Sequence, residues 1–259
     1  MNVVRSEQAI AIHSYVSRAD KERGIMATYV LVHGAFGGAH TFRHVRPRLI
    51  SAGHDVFTPA LSGIGERSHL ANPQTTLRTH SEDVENVFMY WDLRDVVLLG
   101  YSYGGMVVTN ALRSIGDRVE HLVYLDAFVP NDGDSLNSLV GASRREGLGS
   151  PWLIEPIDRG TTYLDDATEE SFQGPRRTPQ PAKTFSDPVV LERPLEQFPF
   201  TRTYIKATGE PRPEVANPFW QAADRAHGSS RWRYHEIDTN HAIPENRPDE
   251  LVAILRHLL

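Results

Sequence analysis

The sequence predicts an α/β domain built on a mostly parallel sheet flanked by helices. Three observations carry that expectation. Strand-like apolar runs alternate with stretches of helical spacing from residue 29 onward. One of those runs, residues 95–100, is almost wholly apolar, as expected of a strand buried on both faces. The length of 259 residues suits one such domain and gives it a large core.

The elements follow in order. Residues 29–33 form a β-rich run that ends at Gly34, and Phe42, Val45 and Leu49 then recur at helical spacing, with Gly53 as C-cap. Residues 54–58 read as a second strand. Thr79 and Glu82 are spaced as a capping box for a helix through Val84, Val87 and Phe88. Residues 95–100 are a strand, 104–112 a helix and 121–125 another strand. Strands at 203–207 and 231–237 bracket a helix over 214–225, and a last helix presents Leu251, Ile254, Leu255 and Leu258 on one face. Residues 131–200 hold prolines, charges and scattered aromatics without a period. A structureless loop of that length is improbable in a compact domain, so this stretch is expected to be an inserted, part-helical cap on a core of residues 26–130 and 201–259. Residues 1–25 are rich in charge and read as a peripheral extension. Either Met26 is the true start or the extension is an amphipathic helix.

Composition excludes several function classes. Lys and Arg number 27 against 33 Asp and Glu, a formal charge of −6 with no basic cluster, so nucleic acid is not the expected partner. With no cysteine, disulfides, thiolate metal sites and cysteine nucleophiles are excluded. No apolar run reaches membrane-spanning length and no secretory leader is evident, so a cytoplasmic protein without membrane contact is expected. His235 and Glu236 lie in a strand without the second histidine of a zinc motif, and no metal or cofactor is expected.

The chemistry points to Ser102. Gly100-Tyr101-Ser102-Tyr103-Gly104 fits the G-x-S-x-G turn, with an apolar strand before it and a helix after it. So tight a bend aims the hydroxyl out of the sheet and leaves room only for small residues two before and two after. A serine hydroxyl needs a base. Of the 12 histidines, His241 lies on the loop between the last strand and the last helix, within reach of such a turn. A developing oxyanion needs two N–H donors. Tyr103 supplies one, and Ala35, in the Gly-rich loop after the first strand, supplies the other, with Phe36 as the fallback. For the acid that orients His241, Asp126 is favoured over Glu210, because a carboxylate ending an apolar strand requires a partner. Gly63-Ile64-Gly65-Glu66-Arg67-Ser68 nearly matches a dinucleotide loop but lacks the final glycine and a following helix, so a loop near the active edge is expected instead.

Together, Gly100 to Gly104, the His33-Gly34 pair and the late His241 resemble the α/β-hydrolase superfamily from residue 29 onward. More narrowly, His33-Gly34-Ala35 with Gly37-Gly38, Gly104-Gly105-Met106 and Phe128-Val129-Pro130 are similar to the branch of plant methyl-ester esterases, hydroxynitrile lyases and bacterial esterases. The resemblance implies the α/β-hydrolase fold, Ser102 as nucleophile, His241 as base and N–H donors at Ala35 and Tyr103. Plant members carry the acid at the place of Glu210, so Asp126 departs from them and resembles instead the placement in haloalkane dehalogenases. Those use an aspartate nucleophile, where this chain has Ser102. The lyases carry a lysine after the base and a threonine in the oxyanion loop, where Ala242 and Gly34 stand here. The expected activity is therefore hydrolysis of a small or medium apolar ester, with carbamate, amide or lactone bonds as variants. Trp152, Tyr163, Phe185 and Trp220 are candidates to line an apolar substrate pocket. A lyase or cofactor-independent dioxygenase on the same scaffold, and a slow-turnover ligand receptor, are the alternatives.

Overall fold

The computed structural model describes residues 26–141, 152–158, 160 and 163–259. The expectations for residues 1–25 lie outside the described residues. Six strands, all parallel, form one sheet in the order β2-β1-β3-β4-β7-β8. They are β1 (Thr28–Val32), β2 (Asp55–Phe57), β3 (Val96–Tyr101), β4 (Val119–Leu125), β7 (Thr201–Ala207) and β8 (Arg233–Ile237); a separate antiparallel pair, β5 (Leu153–Ile154) and β6 (Gln180–Pro181), lies in the stretch expected to be a cap.

Every residue of β3 is buried, because helices cover both sheet faces. Its side chains alternate between two cores. Val96 and Leu98 pack with residues of helices α2 (Leu77–Tyr90), α3 (Gly104–Ile115) and α7 (Pro218–His227). Val97, Leu99 and Tyr101 pack on the other face with residues of α1 (Val45–Ser51) and α9 (Pro248–His257). Among the described residues between 131 and 200 the α-helices are short: α4 (Leu136–Val140), α5 (Ala167–Gln173) and α6 (Lys183–Ser186). Leu136, Phe185, Val189, Leu191 and Leu195 from this stretch join the first core. Among the described residues no helix is long and apolar enough to cross a membrane.

Several boundaries differ from the sequence expectation: β4 and β7 each begin two residues earlier than expected, at Val119 and Thr201, and three further differences have a local cause. The capping box of α2 is Thr76 with Thr79, one turn before the expected Thr79 and Glu82. Leu77 is buried and extends the apolar stripe of Val84 and Phe88 by a turn, which draws the helix start back. Helix α7 begins at Pro218 rather than near residue 214. Pro218 has no N–H to give and is tolerated only in the first turn, and the Asn217 side chain caps it by accepting from Phe219 N at 2.9 Å. Strand β8 starts at Arg233, two residues late, because Trp232 N is engaged in a turn with Ser229 O.

The register positions the site. Val32 pairs with Gly100, Tyr101 with Leu125, Leu125 with Ile205, and Ala207 with Ile237. The five strands thus end along one line. Whatever follows each of them, including Ser102, Asp126 and the loop carrying His241, meets at that edge.

Candidate active site

Ser102 adopts φ +55, the left-handed region that a non-glycine residue enters only under constraint. The constraint is steric and hydrogen-bonded. A Cβ on Gly104 would lie 2.5 Å from Val32 O, and one on Gly105 would lie 2.2 Å from Phe128 O, so helix α3 approaches β1 and the β4 end closely only because both positions are glycine. Ser102 N donates to Leu125 O at 3.2 Å, and Ser102 O accepts from Gly105 N at 3.1 Å and Phe128 N at 3.3 Å.

His241 brings Nε2 to 2.9 Å from Ser102 Oγ and Nδ1 to 2.7 Å from Asp126 Oδ2. The carboxylate requires the proton on Nδ1, which leaves Nε2 to accept from the serine hydroxyl. Two rings stack on the imidazole, Tyr101 at 4.9 Å and Phe219 at 5.0 Å between centroids. Tyr101 OH also donates to His241 O at 2.8 Å. Asn240 fixes the loop, accepting from Ala242 N and Asn246 Nδ2 and donating to Tyr163 O.

Asp126 is 2% exposed and, like Ser102, has a positive φ, +38. Its second oxygen is taken by a group that the sequence reading missed. Lys206 Nζ donates to Asp126 Oδ1 at 2.7 Å and to Ala207 O at 2.7 Å, and lies 4.6 Å from the Trp220 ring centroid. Burial by itself would raise the carboxyl, but hydrogen bonds from His241 and Lys206 and their charges outweigh it and hold Asp126 below the usual aspartate range. A signal for Lys206 was present in the sequence. It is a charge inside the run Tyr204-Ile205-Lys206-Ala207, and a buried charge requires a counter-ion.

Glu210, the alternative acid, is exposed in the turn after β7, and among the described residues nothing links it to His241. Neither the Ala35 nor the Tyr103 N–H donates to another group among the described residues, so both are available beside Ser102. Phe36, the fallback donor, is engaged: its N–H donates to Gln180 Oε1 at 3.1 Å, and Thr178 N donates to its carbonyl at 2.9 Å. His33, fully buried beneath this loop, bonds Gly34 O through Nδ1 and accepts from Leu61 N at 3.2 Å. Burial pushes it down to about 4, so it stays neutral. The Gly63–Ser68 loop does lie beside the site, where Glu66 accepts from Ala39 N at 3.1 Å and His40 N at 3.0 Å.

Two chambers meet at Ser102. The larger, about 760 Å³, is walled by Phe36, Phe128, Phe185, Phe219 and Trp220 and contains His241. The smaller, about 360 Å³, is more polar, with His40, Thr41, Gln173 and Arg177. Of the aromatics named from sequence, Tyr163, Phe185 and Trp220 line a chamber. Trp152 does not; its carbonyl instead accepts from Ala182 N beside the β5–β6 pair.

A parallel sheet with a serine on a strained strand-to-helix turn defines a class, and the chain belongs to it: residues 29–254 match the model of the alpha/beta hydrolase family. The chain is 33% identical over 250 residues to the carbendazim hydrolyzing esterase of Nocardioides sp. (strain SG-4G), covering 90% of this chain and 100% of that one. Its fold is similar to an extracellular α/β-hydrolase from a Paenibacillus species (TM-score 0.69, 23% identity, 88% of this chain and 97% of that one). It is likewise similar to a methylesterase from Arabidopsis (TM-score 0.70, 21% identity, 90% and 98%). Family membership, with an esterase relative matched along its whole length, supports hydrolase chemistry on this scaffold.

Proposed function

We propose that the protein is a serine hydrolase that cleaves a small or medium apolar ester, carbamate esters included, through an acyl-enzyme. The observation that carries this reading is the pair of contacts on one imidazole, 2.9 Å to Ser102 Oγ and 2.7 Å to Asp126 Oδ2. Ser102 attacks the carbonyl carbon while His241 Nε2 takes its proton. Asp126 holds the ring and stabilises the imidazolium. The Ala35 and Tyr103 N–H groups receive the oxyanion, each worth about a hundredfold or more in kcat. His241 then returns the proton to the leaving oxygen, and water, activated by the same imidazole, releases the acid. The aromatic wall of the larger chamber suits an apolar acyl or leaving group. The stretch 131–200 acts as the cap that supplies Phe185 and, through Gln180, anchors the oxyanion loop. Carbamate esters are included because their carbonyl and leaving oxygen present the same groups to Ser102 as a carboxylic ester does.

The lyase alternative lacks its lysine after the base, since Ala242 is there. Lys206 stands at the site from another strand, but its ammonium is committed to Asp126 and Ala207 O.

A fluorophosphonate probe tests the reading. Wild-type protein should be labelled and should hydrolyse p-nitrophenyl butyrate, and Ser102→Ala should lose the label and about 10⁶-fold in kcat. Labelling or turnover that survives Ser102→Ala overturns it.

A further inference from the structure

We propose that Lys206 is a positioning residue for this reaction: it fixes the Asp126 carboxylate so that its other oxygen faces His241, and its charge offsets part of the negative charge that the carboxylate presents to the imidazole. The proposal rests on the reading of Ser102 and His241 as nucleophile and base.

The geometry has three parts. The Lys206 side chain is 6% exposed and that of Asp126 3%. Neither charge is solvated by bulk water, so each depends on the other. The two carboxylate oxygens are divided, Oδ1 to the ammonium and Oδ2 to the imidazole, both at 2.7 Å. A carboxylate held at both oxygens cannot rotate away from Nδ1. The ammonium is itself anchored by Ala207 O at 2.7 Å and by the face of Trp220.

The electrostatic consequence has a definite sign. A buried ammonium that shares the carboxylate with the imidazole cancels much of the negative charge that would otherwise favour imidazolium. Removing it makes His241 easier to protonate, and a protonated His241 cannot serve as base. The other ionisable groups around the pair do not mimic this effect. Burial pushes the phenols of Tyr204 on β7 and Tyr234 on β8 upward, so neither changes charge. Tyr101 on β3 contacts the His241 carbonyl, and Arg212 beyond β7 lies on the Trp220 ring. Glu210, in that same turn, and Glu245, in helix α8 (Ile243–Asn246), border the chambers. All of these are common to wild type and a Lys206 variant, so their contributions cancel in the comparison.

The test is kcat/KM for p-nitrophenyl butyrate from pH 5 to 9 in wild type, Lys206→Met and Lys206→Arg, with Ser102→Ala alongside. In Lys206→Met the acid limb should move up by about one pH unit, a loss of about tenfold at pH 5.5 that shrinks as pH rises. Lys206→Arg should restore the limb. Superimposable limbs, or a loss equal at every pH, overturn the proposal, the second because it marks a merely structural lysine. If Lys206→Met does not fold, Lys206→Gln removes the same charge and is read by the same criterion. Activity surviving in Ser102→Ala would instead defeat the serine reading, whereas an inactive Ser102→Ala with coincident limbs defeats only the role of Lys206.

Discussion

Asp126→Asn separates the acid assignment from its alternative, and the structure fixes the expected magnitude. The amide that replaces the carboxylate has one acceptor end and one donor end. Lys206 Nζ, 2.7 Å from Oδ1, carries only donors and must face the amide oxygen. The amide NH₂ is then turned to His241 Nδ1, 2.7 Å from the other position. Nδ1 becomes an acceptor, the ring proton moves to Nε2, and Nε2 donates to Ser102 Oγ instead of accepting from it. The serine proton has no acceptor and the imidazolium has lost its counter-charge. The same exchange in a serine-protease triad, where the wrong tautomer is also the cause, lowers kcat about 10⁴-fold, equivalent to about 5 kcal/mol of transition-state stabilisation. The expected loss here is about 10³- to 10⁴-fold, with the fold intact by circular dichroism. Glu210→Gln, at an exposed position that nothing links to His241 among the described residues, should change kcat no more than about twofold. Adding Lys206→Met to Asp126→Asn frees the amide to flip and should recover part of the lost rate. The assay is steady-state hydrolysis of p-nitrophenyl esters. Near-normal turnover in Asp126→Asn, or collapse in Glu210→Gln, refutes the tautomer argument.

Stability depends on the backbone at Ser102 and on three buried histidines. Because Ser102 sits at φ +55, Ser102→Gly relieves backbone strain that Ser102→Ala retains, and the glycine variant should be more stable by about 1 kcal/mol, or roughly 2–4 °C in Tm; equal melting temperatures, or a higher one for alanine, would contradict it. Burial, the largest cause in each case, pushes His33 and His121 down to about 4 and His80 down to about 3, against an unfolded value near 6.5. A base whose folded value is depressed stabilises fully above the unfolded value and loses that contribution as pH falls below it. Urea unfolding should therefore report a loss of about 2–3 kcal/mol per histidine between pH 7.5 and 4.5, and flat stability over that range would show that these rings are not buried in neutral form.

What was legible in the sequence was whatever local sterics or chain order dictates. The serine turn announces itself because Gly100 and Gly104 are required by contact distances, and those requirements are met within five residues. His241 is singled out by its place between the last strand and the last helix. Asp126 is singled out by the cost of ending an apolar strand in an unpaired carboxylate, and its hydrogen-bond partners, His241 and Lys206, come from 115 and 80 residues away. Lys206 escaped notice because its long aliphatic stem reads as compatible with either surface, and only the parallel register Leu125↔Ile205 puts it beside Asp126. Gln180 escaped for a similar reason. Its fully buried amide accepts from Phe36 N, 144 residues away, and donates to Thr184 Oγ1, inside a stretch with no periodicity to read. The start of α7 was written in Asn217-Pro218 and the true capping box in Thr76 and Thr79.

Backbone strain ties these parts together. Among the described residues, Phe36, Ser102 and Asp126 are three of the five non-glycine residues with positive φ, and each follows the carboxyl end of a sheet strand, β1, β3 or β4. Such conformations cost on the order of 1–3 kcal/mol each and persist only where surrounding contacts over-determine them. For Ser102 those contacts are the Leu125 carbonyl and the Gly105 and Phe128 N–H groups, and for Asp126 the Ile205 carbonyl at 2.7 Å, all contributed by the sheet or by the chain just beyond it. For Phe36 they are Gln180 and Thr178, which belong to the aperiodic stretch over the sheet edge. The serine and the aspartate are thus held by the sheet scaffold, while the loop carrying Ala35 is held by the segment that also walls the larger chamber. If Ala35 donates to the oxyanion as proposed, that donor and the chamber wall share one support through Gln180, and the loop carrying His241 is tied to the same stretch through Asn240 and Tyr163 O.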